Sequence, residues 1–119
     1  MGRKILVVED HADSREMMCL VLQSYGYDVK EAADGQEATE VVKYWCPDLI
    51  LMDVNMPKMD GLTAAAVIHD TEGCQSTPII AVTAFPDFAE QARSAGFINI
   101  LKKPVEFAQL RSVVETSLA

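Results

Sequence analysis

The chain has 119 residues, half of them apolar, and a formal net charge of -8. That length and apolar share suit one domain with a continuous core, read over residues 1–119 with no second domain. The acidic balance argues against direct nucleic-acid binding through a general basic surface, and against acidic partners.

In chain order, Ile5 to Val8 is a short β-prone run that stops at Glu9 and Asp10. It is too short for a signal-peptide core or a membrane span, so a cytoplasmic protein without membrane contact is expected. Asp13 or Ser14 can cap the next helix, in which Met17, Leu20, Val21 and Ser24 share a face, and Gly26 ends it. Asp28 to Ala32 is a weaker strand suited to a sheet edge. Asp34 and Gly35 turn into a second helix carrying Ala38, Val41, Val42 and Trp45 at helical spacing, which Pro47 ends. Trp45 is read as capping the core beneath that helix.

Leu49 to Met52 is an uninterrupted apolar run that ends in Asp53, the pattern of a central strand buried on both faces. Val54 to Gly61 follows as a loop, and Leu62 to Ile68 is rich in helix formers, closing near Glu72 and Gly73. Pro78 to Val82 is another buried strand, ending in Thr83. Phe88 to Ala95 reads as a short helix stopped by Gly96, Phe97 to Leu101 as a fifth strand, and Phe107, Leu110, Val113 and Val114 as the apolar face of a last helix. Cys19, Cys46 and Cys74 are odd in number, far apart and form no C-x-x-C pair, so they are read as reduced apolar residues rather than a disulfide framework or zinc site.

Strand and helix thus alternate, which calls for an α/β fold: a single doubly wound parallel sheet covered by helices on both faces. The five-stranded order 2-1-3-4-5 fits because the weakest strand, the second, then lies on an edge. That order brings the strand-end residues Glu9, Asp10, Asp53, Thr83 and Lys103 to one rim, where open α/β sheets bind ligands. Three crowded carboxylates need a compensating cation, either Lys103 or a divalent metal. Hard oxygen donors with no His or Cys at the strand ends favour Mg²⁺ over Zn²⁺. Asp53 is placed to act as a nucleophile toward phosphorus, with Mg²⁺ and Lys103 neutralising the phosphoryl oxygens and Thr83 donating its hydroxyl.

These residues carry a resemblance. Val7-Val8-Glu9-Asp10, Leu51 to Pro57, Asp60-Gly61, Thr83-Ala84 and Lys103-Pro104, in that order across essentially the whole chain, resemble the receiver domain of two-component response regulators, a CheY-like fold. The resemblance implies that Asp53 accepts phosphate from the phosphohistidine of a histidine kinase or phosphotransfer protein. It implies that Asp10 and Asp53 bind Mg²⁺ directly, Asn55 through its backbone carbonyl and Glu9 through water. It further implies a phosphoryl contact from Lys103, a cis Lys103–Pro104 bond, a switch role for Thr83, and an output domain or effector as partner, with a homodimer left open. The protein is then a phosphoacceptor regulator that catalyses only its own phosphoryl transfer and dephosphorylation.

Two positions depart from the family pattern. Ile100 stands where an aromatic switch residue is usual, so a relay there has to work by packing. The segment from Thr83 to Gly96 is short, so a truncated or displaced fourth helix is expected.

Taken singly, each rim residue has a bland reading: Asp53 as a solvated strand-end acid, Thr83 as a plain β-branched residue. Lys102 is read as a solvated neighbour, His11 and His69 as surface residues, the methionines as packing and loop residues, and Phe85 and Phe88 as part of a partner surface if exposed. Two other functions compete. One is a receiver-like interaction module in which phosphorylation is weak or unused. The other is an aspartyl-phosphate hydrolase resembling the haloacid dehalogenase group, which needs an acid two residues after the nucleophile, where this chain has Asn55. Flavin binding is disfavoured because Glu9-Asp10 replaces a phosphate loop after the first strand.

Overall fold

The computed structural model describes residues 2–54, 61–84 and 89–118. Strands and helices alternate as β1 (Lys4–Val8), α1 (Ala12–Ser24), β2 (Asp28–Ala32), α2 (Gly35–Val41), β3 (Leu49–Asp53), α3 (Gly61–His69), β4 (Ile79–Thr83), α4 (Ala89–Ser94), β5 (Phe97–Lys102) and α5 (Phe107–Ser117). The five strands form one parallel sheet in the order β2-β1-β3-β4-β5. The doubly wound α/β expectation and its strand order are met.

The continuous apolar runs explain the layers. Leu6, Val8, Ile50, Met52, Ile79 and Ala81 point to the face that packs Ala38 and Val41 of α2, Ala64, Ala65 and Ile68 of α3, and Ala92 of α4. Ile5, Val7, Leu49, Leu51, Ile80 and Val82 point to the other face, against Met18, Cys19 and Leu22 of α1 and Leu110 and Val114 of α5. Each fully buried Leu or Ile on these faces contributes about 1.5–3 kcal/mol of transfer free energy. The two edge strands are the exposed ones: β2, as its charges require, and β5 at Ile98, Asn99 and Lys102.

Three expectations about the helices are corrected. The first helix begins at Ala12 with His11 as N-cap and no side-chain cap, so neither Asp13 nor Ser14 serves. Its buried residues are Met18, Cys19 and Leu22, while Met17 and Leu20 are exposed. Two apolar stripes coexist on this helix, and the sheet takes the one that reaches β1. Asp34 does cap α2, accepting from the Glu37 N–H, but α2 stops at Val41, well before Pro47. Val42 and Trp45 still pack against the core from the turns beyond it, which is why their spacing looked helical.

Cys46 and Cys74, read as reduced, are joined by a disulfide with their Cα atoms 6.0 Å apart. It ties the turn after α2 to the loop after α3. Cys19 stays free and buried. His69, read as a surface residue, is half-buried, its Nε2 lying 3.2 Å from the Thr77 carbonyl oxygen. Its ring sits where a Cβ on Gly96 would fall, and Gly96 has φ +93, so only glycine suits that turn.

Candidate functional site

The rim at the carboxyl ends of the strands is set by register. Val8 pairs with Met52, Asp53 with Val82, and Thr83 with Lys102, so the residues just beyond β1, β3, β4 and β5 share one edge. Glu9 and Asp53 are both buried there, as is Thr83 at the tip of β4. Lys103 is anchored by its own backbone, its N–H donating to the Thr83 carbonyl at 2.9 Å. The Lys103–Pro104 bond is cis.

From that position the Lys103 ammonium spans two buried carboxylates. Its Nζ donates to Asp53 Oδ2 at 2.8 Å and to Glu9 Oε1 at 3.2 Å, and stands 3.0 Å from Glu9 Oε2. Burial pulls the ammonium's pKa down, but the hydrogen bonds and charges of Asp53 and Glu9 outweigh it, and the net shift is upward. Lys103 is thus a fixed cation, as the crowding of acids required. Lys102, by contrast, is exposed.

The acids are not fully satisfied by Lys103. Glu9 Oε2 and Asp10 Oδ1 are buried and accept no hydrogen bond, although the first has the Lys103 charge nearby. Glu9, Asp10 and His11 each present one ligand atom within 4.8 Å of the others. Orphaned carboxylate oxygens of this kind suit a hard divalent cation such as Mg²⁺. Asn55 lies outside the described residues, as do Phe85 and Phe88.

Arg15 went unread in the sequence, and Gly61 was read only as part of the Asp60-Gly61 motif. Arg15 Nη1 donates to the Glu9 carbonyl at 2.9 Å while its Nε donates to Glu31 at 3.1 Å, fixing the backbone that presents Glu9. Gly61 donates its N–H to the Val54 carbonyl, and a Cβ there would sit 2.6 Å from the Asp53 carbonyl oxygen and 2.8 Å from Val54 Cα. The Asp-Gly pair was the only sequence signal for this close approach. Ile100 is half-buried against the α2–α3–α4 face, paired with Ala81 in the sheet.

A cleft of about 630 Å³ opens beside the acids. Its walls combine the polar Glu9, His11 and Lys103 with the apolar Met17, Val82 and Phe107.

Comparison with known proteins decides the family. The profile of the response regulator receiver domain matches residues 5–115. The chain belongs to the response regulator receiver family. It is 39% identical to the transcriptional regulatory protein PdtaR of Mycobacterium tuberculosis over 98% of this chain, and spans only 57% of that protein. It is 28% identical to the polar-differentiation response regulator DivK of Brucella, over 99% of this chain and 98% of DivK.

Among solved structures it superposes on the chemotaxis protein CheY4 of Vibrio cholerae with a TM-score of 0.94 at 31% identity, covering 99% of this chain and all of the other. The receiver domain of the sensor histidine kinase PA1611 of Pseudomonas aeruginosa, which has a magnesium ion coordinated in its active-site cleft, gives 0.90 at 33% identity, with 99% of this chain and 98% of that one covered.

This receiver is therefore a module of phosphorylation-controlled signalling. Receiver domains are signalling domains that interact with histidine kinases and output domains. No helix among the described residues is long and apolar enough to cross a membrane.

Proposed function

We propose that residues 1–119 form one receiver domain in which Asp53 takes a phosphoryl group from the phosphohistidine of a histidine kinase or phosphotransfer protein. The observation that carries this is the clasp of Lys103 on two buried acids, Asp53 and Glu9, at the strand-end rim. A buried carboxylate held by one lysine is oriented and desolvated, which favours attack on phosphorus. An Asp53 oxygen forms the new P–O bond as the P–N bond of the donor breaks, and the imidazole leaves with that electron pair.

Asp10 and Asp53 would hold Mg²⁺ directly, Glu9 through water and Asn55 through its backbone carbonyl. The ion, when bound, supplies positive charge to the phosphoryl oxygens. Lys103 exchanges its Asp53 contact for a phosphoryl oxygen, and Thr83 donates its hydroxyl to another. Ile100 follows Thr83 by packing, in place of an aromatic side chain. The domain acts as a cytoplasmic regulator of an output domain or effector, turning over no other substrate.

The test is intact mass after incubation with Mg²⁺ and acetyl phosphate. The wild-type chain is expected to gain one phosphoryl group and Asp53→Ala none. An equal gain in both proteins, or none in either, refutes the proposal.

A further inference from the structure

Cys46 and Cys74 are joined at the pole of the sheet opposite the acidic rim, since Cys46 precedes β3 and Cys74 precedes β4. The two sulfurs differ in access. Cys46 is half-buried in the turn after α2, while Cys74 is 0% exposed. A bridge with a reachable sulfur exchanges with small thiols, and the attack falls on that sulfur.

Contacts other than the covalent bond hold the pair together. The Thr77 hydroxyl donates to the Pro47 carbonyl at 3.4 Å and lies 3.4 Å from Cys46 Sγ. The Cys74 N–H donates to the Thr71 carbonyl at 3.0 Å, and the Thr77 N–H to the Cys74 carbonyl at 3.2 Å, so the loop carrying Cys74 has its own framework. The Gly73 carbonyl stands 3.2 Å from Cys46 Sγ, in place to accept its S–H once the bridge is open. Both states of the pair have partners, and the open thiols stay close enough to close again. The ring that the bridge completes contains all of β3, with Asp53 at its tip, and all of α3.

We propose that Cys46 and Cys74 form a reversible thiol–disulfide site for small thiols of the glutathione class, with Cys46 the sulfur attacked and Cys74 the resolving thiol, whose closure tethers α3 to β3. In the reducing direction a glutathione thiolate attacks Cys46 Sγ, the S–S bond breaks, and Cys74 leaves as a thiolate that takes a proton from water. A second glutathione thiolate attacks the glutathione sulfur of the mixed disulfide, releasing Cys46 and oxidised glutathione. Oxidation is the reverse: Cys46 takes one glutathione from the oxidised form and Cys74 expels it. The site lies away from the phosphoryl chemistry, so it stands or falls separately from the role of Asp53.

A flexible loop gives its two thiols an effective concentration of millimolar order. The fold favours closure a further few hundredfold, the counterpart of the stability that a bridge across 28 residues adds. The product is roughly 1 M, at which about 5 mM reduced glutathione balances roughly 25 µM of the oxidised form.

The experiment equilibrates the intact chain at pH 8 in about 5 mM reduced glutathione with the oxidised form varied, followed by acid quench, denaturation, alkylation and mass. Free thiols are expected to fall from three to one with a midpoint within about tenfold of that balance, the remaining thiol mapping to Cys19. In a brief alkylation of the reduced native chain, Cys46 should react at least about tenfold faster than Cys74. Reduction should speed amide exchange in α3 by at least about tenfold, and by more than in α1, which lies outside the ring. A bridge that survives reduced glutathione with none of the oxidised form present is a permanent brace and overturns the proposal. So do thiols that stay free at equal concentrations of the two forms, faster labelling of Cys74, or exchange in α3 that quickens no more than in α1.

Discussion

Replacing Lys103 by methionine keeps an unbranched side chain only one atom shorter and removes its charge. Two carboxylates are then left buried without their cation: Glu9, with a side chain 0% exposed, and Asp53, with one 6% exposed. Breaking a buried ion pair by removing one partner costs about 3–5 kcal/mol. The Lys103 side chain is itself 27% exposed, so water can enter the gap, and we expect a loss of about 2–4 kcal/mol, or roughly 10 °C in Tm for a chain of this size.

Urea unfolding of wild type, Lys103→Met, Asp53→Asn and the double variant measures it. The amide of Asp53→Asn leaves only Glu9 charged, so the cost of Lys103→Met should shrink by about 1–2 kcal/mol in that background. A Lys103→Met stability within about 0.5 kcal/mol of wild type, or a cost unchanged by Asp53→Asn, refutes the claim that this lysine holds the acids together.

The remaining predictions are independent of each other. Because the Lys103 pKa is raised above its ordinary value of 10.5, its contribution is fully present below that pH and is lost as pH rises through the folded value, so wild type should lose stability faster than Lys103→Met above about pH 10.5 in alkaline unfolding curves. Gly61→Ala forces a methyl against the Asp53 and Val54 backbone and should cost about 1–3 kcal/mol with slowed Asp53 phosphorylation; an unchanged Tm and phosphorylation rate contradict the close approach. Reducing the Cys46–Cys74 bridge, which closes a separation of 28 residues, should lower stability by about 3 kcal/mol, and alkylation mass of the denatured chain without reductant should count one free thiol per chain rather than three. Burial, followed by the neighbouring Glu31 charge, pushes the Cys19 thiol up to about 12, so Cys19 should resist thiol reagents at pH 8 until the protein unfolds; rapid labelling of the native chain contradicts this.

Much of the fold was legible because the central strands are buried on both faces. Ile5 to Val8, Leu49 to Met52 and Ile79 to Val82 are continuous apolar runs, and each ends where a polar residue begins the rim. Parallel order then followed from alternation, and with it the convergence of Glu9, Asp10, Asp53, Thr83 and Lys103. What escaped depends on tertiary contact rather than on local pattern. Met17 and Leu20 are as apolar as the buried Met18 and Leu22, so periodicity alone does not say which stripe meets the sheet. Cys46 and Cys74 meet only because the turns after α2 and α3 lie side by side. Arg15 supports Glu9 through a backbone carbonyl, a bond that carries no residue signature.

The central claim is that Asp53, and no neighbouring acid, carries the phosphoryl group. Borohydride reduces an aspartyl phosphate to homoserine, so peptide mapping of the chain after acetyl phosphate, Mg²⁺ and borohydride locates the modified residue. The account predicts homoserine at position 53 alone. Homoserine at position 10, or none at 53 in a chain that has gained a phosphoryl group, contradicts it.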